Sequence, residues 1–283
     1  MLTLKWKNGQ CLDLDARTHI MGILNVTPDS FSDGGRYFDT QKAIEHGFRM
    51  AEEGADIIDV GGESTRPYAK KLSTDEEIAR VLPVIEALSG ALSIPISIDT
   101  YKARVAHEAL DAGAAIINDV SALRFDPEMA SVAAEAGVPV ILMHMKGVPQ
   151  DMQDQPHYDN LILEVMNFLQ DALDRAAAAG IRREMTVVDP GIGFGKTFDH
   201  NLKILRELAQ FQTLERPILL GCSNKAFIGH ILKKEPHERV TGSMAAAAVG
   251  AMNGANILRV HHVKKAVETV KIVDAIKAGE TPE

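Results

Sequence analysis

A (β/α)8 barrel with a short N-terminal β-hairpin is the fold the sequence predicts. Three observations lead there. Eight apolar, β-branched runs alternate with longer helical patterns: HIMGILN, DIIDVGG, PISIDT, AIINDV, PVILMHM, MTVVDPG, PILLGCS and NILRVH. Before several of these runs stands a glycine, Gly54, Gly113, Gly137, Gly180 or Gly254, where a helix takes a left-handed C-terminal cap. The 283 residues suit one barrel of this class, typically about 250 residues long. A doubly wound open sheet is the rival, and the count of eight favours the barrel. No Pro/Gly/Ser-rich linker interrupts the chain, so 1–283 is expected to be a single domain.

The hairpin comes first, over residues 1–18. LTLKW and QCLDLD flank Asn8-Gly9, a strong two-residue hairpin signal. The apolar runs that follow are continuous, as in parallel strands covered on both faces. Between them lie helical patterns such as DEEIARVLPVIEAL, YDNLILEVMNFLQDALDRAAAA and VKKAVETVKIVDAIKA, and 278–283 is a polar tail. Two long segments, NVTPDSFSDGGRYFD after the first run and GGESTRPYAKKLS after the second, mix Gly, Pro and Ser with Arg. That is the composition of functional lids.

The bulk composition is that of a globular chain, 46% hydrophobic and 24% charged. A net charge of −9 with no basic tract argues against a nucleic-acid surface. Any anionic ligand must then be met by a few local cations. Cys11 and Cys222 stand far apart and have neither disulfide-framework nor metal-ligand spacing. No run approaches the ~20 apolar residues of a membrane span, and the N-terminus has no apolar run long enough for a signal peptide. A cytoplasmic setting is expected, and the Asn25-Val26-Thr27 sequon is read as chance.

In a barrel of this kind the chemistry sits at the C-terminal ends of the strands. Those ends carry Asn25, Gly61-Gly62-Glu63, Asp99, Asn118-Asp119, His144, Asp189, Ser223 and Arg259 with His261. Singly, each has a plain reading: Asp99 or Thr100 as a helix cap, Asp189-Pro190 as a turn, Lys225 as a solvated first-turn residue. On one rim together they point to a ligand. Asp99, Asn118 and Asp189 suit a flat heterocycle with N–H donors. Lys225, Arg259 and His261, from the last two strands, suit a diphosphate. DPGIGFGKT imitates a phosphate-binding loop, but Pro190 stands where the first glycine of G-x-x-x-x-G-K-[ST] is required.

MGILNVTPDSFSDGG, IIDVGGESTRP, ISIDT, IINDVSAL, LMHMKGVPQDMQ, VVDPGIGFGK, GCSNKAFIG and ILRVHHV together resemble dihydropteroate synthase, from about Met21 to the last helix. The resemblance implies a barrel enzyme, usually a homodimer, that joins p-aminobenzoate to a hydroxymethyl-dihydropterin diphosphate and releases pyrophosphate in folate synthesis. It implies an SN1-like route, with sulfonamides competing for the p-aminobenzoate site. Asp99, Asn118, Met143, Asp189, Lys225 and Arg259 are then expected at the pterin, and Asn25, Arg66, Arg259 and His261 at the diphosphate. Asn25 is expected to act partly through Mg2+. Phe31, Thr65, Arg66, Pro67, Phe194 and Ser223 are expected around p-aminobenzoate. Asp99, Lys225, Arg259 and His261 are the residues expected to carry catalysis.

The chain departs from the family pattern at Tyr68 and the Ala69-Lys70-Lys71 that follows, and at Asn224, Ala226 and His262. The alternatives are a pterin-binding methyltransferase of the same superfamily and a non-catalytic pterin-binding paralogue. The diphosphate residues argue against both. Lys196 has no role in this reading.

Overall fold

The computed structural model describes residues 2–6, 11–26, 35–64, 71–149 and 151–280, with only the backbone for 35–39. The hairpin forms as expected: β1 (Thr3–Lys5) pairs antiparallel with β2 (Cys11–Asp13), Leu4 opposite Leu12. Its turn lies outside the described residues. The eight predicted apolar runs become eight parallel strands: β3 (His19–Asn25), β4 (Ile57–Gly61), β5 (Ile96–Asp99), β6 (Ile116–Asp119), β7 (Val140–Met143), β8 (Thr186–Asp189), β9 (Leu219–Leu220) and β10 (Ile257–Val260). Their order is β8-β7-β6-β5-β4-β3-β10-β9, and a parallel bridge between Val188 and Ile218 brings the two ends together. This near closure decides for the barrel against the open sheet.

Helices α1 (Gly35–Glu52), α2 (Thr74–Ser89), α3 (Ala103–Asp111), α4 (Met129–Ala136), α5 (Leu161–Ala178) and α6 (Phe198–Arg206) follow β3 to β8 in turn. β9 is followed by two helices rather than the expected one, α7 (Ala226–Leu232) and α8 (Val240–Met252); α9 (Val263–Ala278) follows β10. The predicted glycine caps are confirmed by their backbone: Gly54, Gly113, Gly137, Gly180 and Gly254 all have φ between +63° and +105°.

The strands hide an alternation that their continuous apolarity conceals. Outward residues such as Ile20, Ile58, Ile98, Ile117, Leu142, Val188 and Leu258 pack against the helices. The inward ones are Met21, Ile57, Ile116, Ile141, Val187, Leu219 and Ile257, which form a separate cluster with Leu4, Trp6 and Leu14 of the hairpin segment. The hairpin therefore plugs the bottom of the barrel. Trp6 donates its indole N–H to the Ala115 carbonyl (2.9 Å). Each side chain of this size fully buried contributes roughly 1.5–3 kcal/mol. Two residues along each strand, the inward position returns one layer higher. There the sequence changes from apolar to polar, and the site begins.

Candidate active site

The inward upper layer contains Asn25, Asp59, Gly61, Asp99, Asn118, Met143, Asp189 and Arg259. Parallel register sets Asn25 beside Gly61, Gly61 beside Asp99 and Asp99 beside Asn118, while Met143 stands beside Asp189. Gly61 keeps this corner open. A Cβ there would lie 3.6 Å from Asp99 Oδ2 and 3.8 Å from Asn25 Oδ1, so both oxygens border the same space.

Arg259 ties the layer together. Its Nε donates to Asp59 Oδ2 and its Nη2 to Asp99 Oδ2, both at 2.6 Å. Burial opposes its charge, but the carboxylates of Asp59 and Asp99 outweigh that and raise its pKa. Asp59 is fully buried and also accepts from Asn118 Nδ2 (3.0 Å). An ionised carboxylate only accepts. Asn118 must therefore give Asp59 its NH2 group, which leaves its carbonyl oxygen out of this contact. Burial pushes the Asp99 carboxyl upward against the pull of Arg259. Among the described residues, the Oδ1 atoms of Asp59 and Asp99 are buried without a hydrogen-bond partner. Unpaired buried acceptors in a cleft mark a place for donors that a ligand or water supplies.

The sequence reading passed over Asp59. The signal was a carboxylate at the centre of an apolar parallel strand, two residues beyond the inward Ile57. Arg259, expected at both the pterin and the diphosphate, is paired directly with Asp99.

Asp189 makes the turn that its plain reading expects. Its Oδ1 accepts from the Gly191 amide (2.7 Å), which makes the turn. Burial pushes its pKa to about 6, against the pull of Gly191 and Lys225. The glycines of the following turn are needed for their backbone: Gly191, Gly193 and Gly195 have φ of +70°, +85° and +64°. The turn sets Phe194 under Lys225, whose Nζ lies 4.3 Å from the ring centroid. Lys225 is part-buried at the N-cap of α7, and burial lowers its pKa to about 8. Phe194 also packs on the cluster containing Met143, Met145 and Met152.

Ser223 and His261 meet at the adjoining edge. Ser223 Oγ lies 3.0 Å from His261 Nδ1 and accepts from the His261 amide (3.3 Å). The residue expected at p-aminobenzoate thus touches one expected at the diphosphate. Asn224, where the family often has Arg, adopts φ +58° and turns to α8, where its amide donates to Ser243 Oγ (3.0 Å). Asparagine tolerates that backbone region.

Three rim residues serve as braces. Glu63 accepts from Tyr101 Oη and Lys102 Nζ, both at 2.6 Å. Asp119 accepts from the amides of Ser121 and Leu123 at 2.7 Å. His144 faces Lys196. Phe31, Thr65, Arg66, Pro67 and Tyr68, and residues 27–34 and 65–70 of the two expected lids, lie outside the described residues. Among the described residues no group of three or more His, Cys, Asp or Glu could hold a metal ion.

This arrangement has known counterparts. Residues 21–261 match the family described as pterin binding enzyme. The chain is 48% identical over 267 residues to dihydropteroate synthase of Escherichia coli (strain K12), covering 94% of each chain. It is similar in structure to the Yersinia pestis dihydropteroate synthase solved with a sulfonamide drug complex (TM-score 0.93, 46% identity, 98% of this chain and 99% of that one). Xanthomonas albilineans dihydropteroate synthase matches in its structures with 4-aminobenzoic acid (TM-score 0.92, 45% identity, 98% of each chain) and with 7,8-dihydropteroate (TM-score 0.88, 42% identity, 98% and 99%). With residues 21–261 matched and relatives of this identity covered almost end to end, the chain belongs to the dihydropteroate synthase family of pterin-binding enzymes.

Proposed function

We propose that the barrel mouth condenses 6-hydroxymethyl-7,8-dihydropterin diphosphate with p-aminobenzoate, giving 7,8-dihydropteroate and pyrophosphate by an SN1-like route. The observation that carries this reading is the network in which Asp59 holds both Asn118 and Arg259, with Asp99 on the same guanidinium. It puts acceptors for an aminopyrimidine edge against the cation that an anionic leaving group needs.

The pterin would lie across Asp99, Asn118 and Asp189, with Met143 along its face and Lys225 at its carbonyl. Its N–H donors would compete with Arg259 for Asp99 and release the fork toward the diphosphate. As the C–O bond breaks, negative charge grows on the leaving diphosphate, and Arg259 and His261 would stabilise it. Positive charge grows on the exocyclic methylene and spreads into the electron-rich ring, where Asp99 would favour it. The aromatic amine of p-aminobenzoate is mostly neutral at pH 7 and needs placing rather than deprotonation. Phe194 and Ser223 would place it with Phe31, Thr65, Arg66 and Pro67. The lids would keep out water, which would otherwise capture the cation.

Mg2+ fits this site as a partner of the substrate. Asn25 Oδ1 borders the open corner at Gly61, and Mg2+ commonly takes few protein ligands together with substrate phosphates. Bound by Asn25 and the diphosphate, it would neutralise leaving-group charge.

A homodimer is supported by a face of four packed helices. Phe198 and Leu202 of α6, Ile231 and Leu232 of α7, Val249 and Met252 of α8, and Ile272 and Ile276 of α9 are all exposed. Exposed large apolar side chains gathered on helices that pack on one another mark a protein contact. Among the described residues no helix is long and apolar enough to cross a membrane. Cys11 is exposed and Cys222 buried, both unpaired, which suits a reducing cytoplasm.

The test is pyrophosphate release from the pterin diphosphate, p-aminobenzoate and Mg2+, with a sulfonamide competing against p-aminobenzoate. Pterin binding without pyrophosphate release would transfer the protein to the non-catalytic alternative.

A further inference from the structure

The lysine that imitates a phosphate-binding residue has been turned inward. Lys196 is 2% exposed, and its Nζ meets three partners: His144 Nδ1 at 2.8 Å, the Gly191 carbonyl at 2.9 Å and the Phe194 carbonyl at 3.0 Å. Among the described residues no carboxylate lies within ion-pair distance of it. The charge is unsupported and burial lowers its pKa well below the ordinary lysine range, against the pull of Asp189. A buried amine kept without a counter-ion needs a reason in its hydrogen bonds.

We propose that Lys196 is a positioning residue, anchored on His144, whose amine clamps the two carbonyls of the 191–194 turn and so fixes the Phe194 ring against Lys225 above Asp189. The geometry links these groups in series. His144 is itself held, its ring edge-on to Phe168 at 4.7 Å. Gly191 gives its amide to Asp189 and its carbonyl to Lys196. Phe194 gives its amide to the Gly191 carbonyl and its own carbonyl to Lys196. Its ring then meets Lys225 Nζ. The turn carries three left-handed glycines, so its backbone has little intrinsic preference to hold this shape. Asn201 accepts from the Gly193 amide (2.7 Å) and Tyr158 donates to the Gly195 carbonyl (2.7 Å), and a single amine reaching two further carbonyls fixes the part of the turn that carries Phe194.

The kinetic consequence rests on the synthase reading; the structural one does not. In Lys196→Met, amide exchange over residues 191–195 is expected to accelerate roughly ten- to a hundredfold, the range that loss of buried donors gives, with the rest of the barrel unchanged. The KM for p-aminobenzoate should rise by a similar factor, while that for the pterin diphosphate stays within about threefold. Because the clamp acts through the ring, Lys196→Met combined with Phe194→Ala should raise the p-aminobenzoate KM no further than Phe194→Ala alone. Unchanged exchange, equal losses for both substrates or an additive double variant would overturn the proposal. If the unsubstituted protein releases no pyrophosphate, the synthase reading fails, and exchange alone decides: acceleration in Lys196→Met upholds the clamp and its absence overturns it. Should Lys196→Met not fold, His144→Phe keeps an aromatic ring against Phe168 and removes the imidazole nitrogens, the anchoring Nδ1 among them, and the same changes decide.

Discussion

Asp189 shows how much one side chain can be asked to do. Its Oδ1 is committed to Gly191, so Asp189→Asn would satisfy the turn and present an NH2 group where the pterin offers N–H donors. Pterin affinity should fall by about 2–3 kcal/mol, measurable by calorimetry with 6-hydroxymethylpterin, because a buried donor would face a donor. Unchanged affinity would remove Asp189 from the pocket. The same residue sets a pH dependence. Burial raises its pKa to about 6, so its acceptor form is lost as pH falls below that value. Burial lowers Lys225 to about 8, so its ammonium is lost as pH rises above that value. Affinity should therefore be greatest between these limits and fall by at most about tenfold per pH unit for each group. Lys225→Met should abolish the alkaline limb and leave the acid one; an alkaline limb that persists would exclude Lys225. Arg259→Ala should reduce turnover more than affinity for the pterin ring, and the opposite pattern would misplace the diphosphate. At this scale Asp99, Asn118, Asp189 and Arg259 were legible as polar groups ending apolar strands. Asp59 was not, because inward and outward positions cannot be told apart in a strand apolar on both faces.

Among the elements, the turn from Asp189 to Thr197 was the most misleading in sequence. Its Gly-Lys-Thr ending suggests a phosphate loop, yet Lys196 is buried and Thr197 caps α6, its side chain accepting from the His200 amide. Gly191 is the position that cannot change. At φ +70° an added Cβ would fall on the His144 carbonyl oxygen, a backbone atom that cannot swing away. Gly191→Ala should cost about 2–5 kcal/mol, from left-handed strain and overpacking together. A melting temperature within one degree or so of the parent would contradict the tight approach. The hairpin was legible from Asn8-Gly9 and its flanking apolar residues, but its purpose was not. Only the assembled barrel shows an open lower end for Leu4, Trp6 and Leu14 to fill.

For the whole molecule, the exposed apolar residues across α6 to α9 are the surface on which the proposed homodimer rests. Its helices begin just beyond residues of the mouth: α6 after Lys196-Thr197, α7 after Lys225 and α9 after His261-His262. Ile272→Lys with Val249→Lys should shift the protein from dimer to monomer in sedimentation while leaving far-UV circular dichroism unchanged, since both side chains are exposed. A parent that sediments as a monomer at micromolar concentration would assign the face to another partner. The extra helix after β9 was not anticipated. Small residues in GSMAAAAVGAMNGA blur the helical periodicity that would have separated α7 from α8.

The sequence by itself determined the eight strands, the helices that alternate with them and the strand ends on which chemistry is possible; closure into a barrel was decided by the structure. Strand periodicity, helix caps and the polar ends of apolar runs are local properties, written within a few residues of one another. The tertiary structure decided which of those polar residues meet. Arg259 lies 200 residues from Asp59 and 160 from Asp99, and their pairing exists only because β10 returns beside β3 to bring the barrel round. Burial likewise belongs to the fold: it turned Lys196 from an apparent phosphate ligand into an internal clamp, and it moved the Asp189 and Lys225 pKa values toward neutrality by removing water from around them.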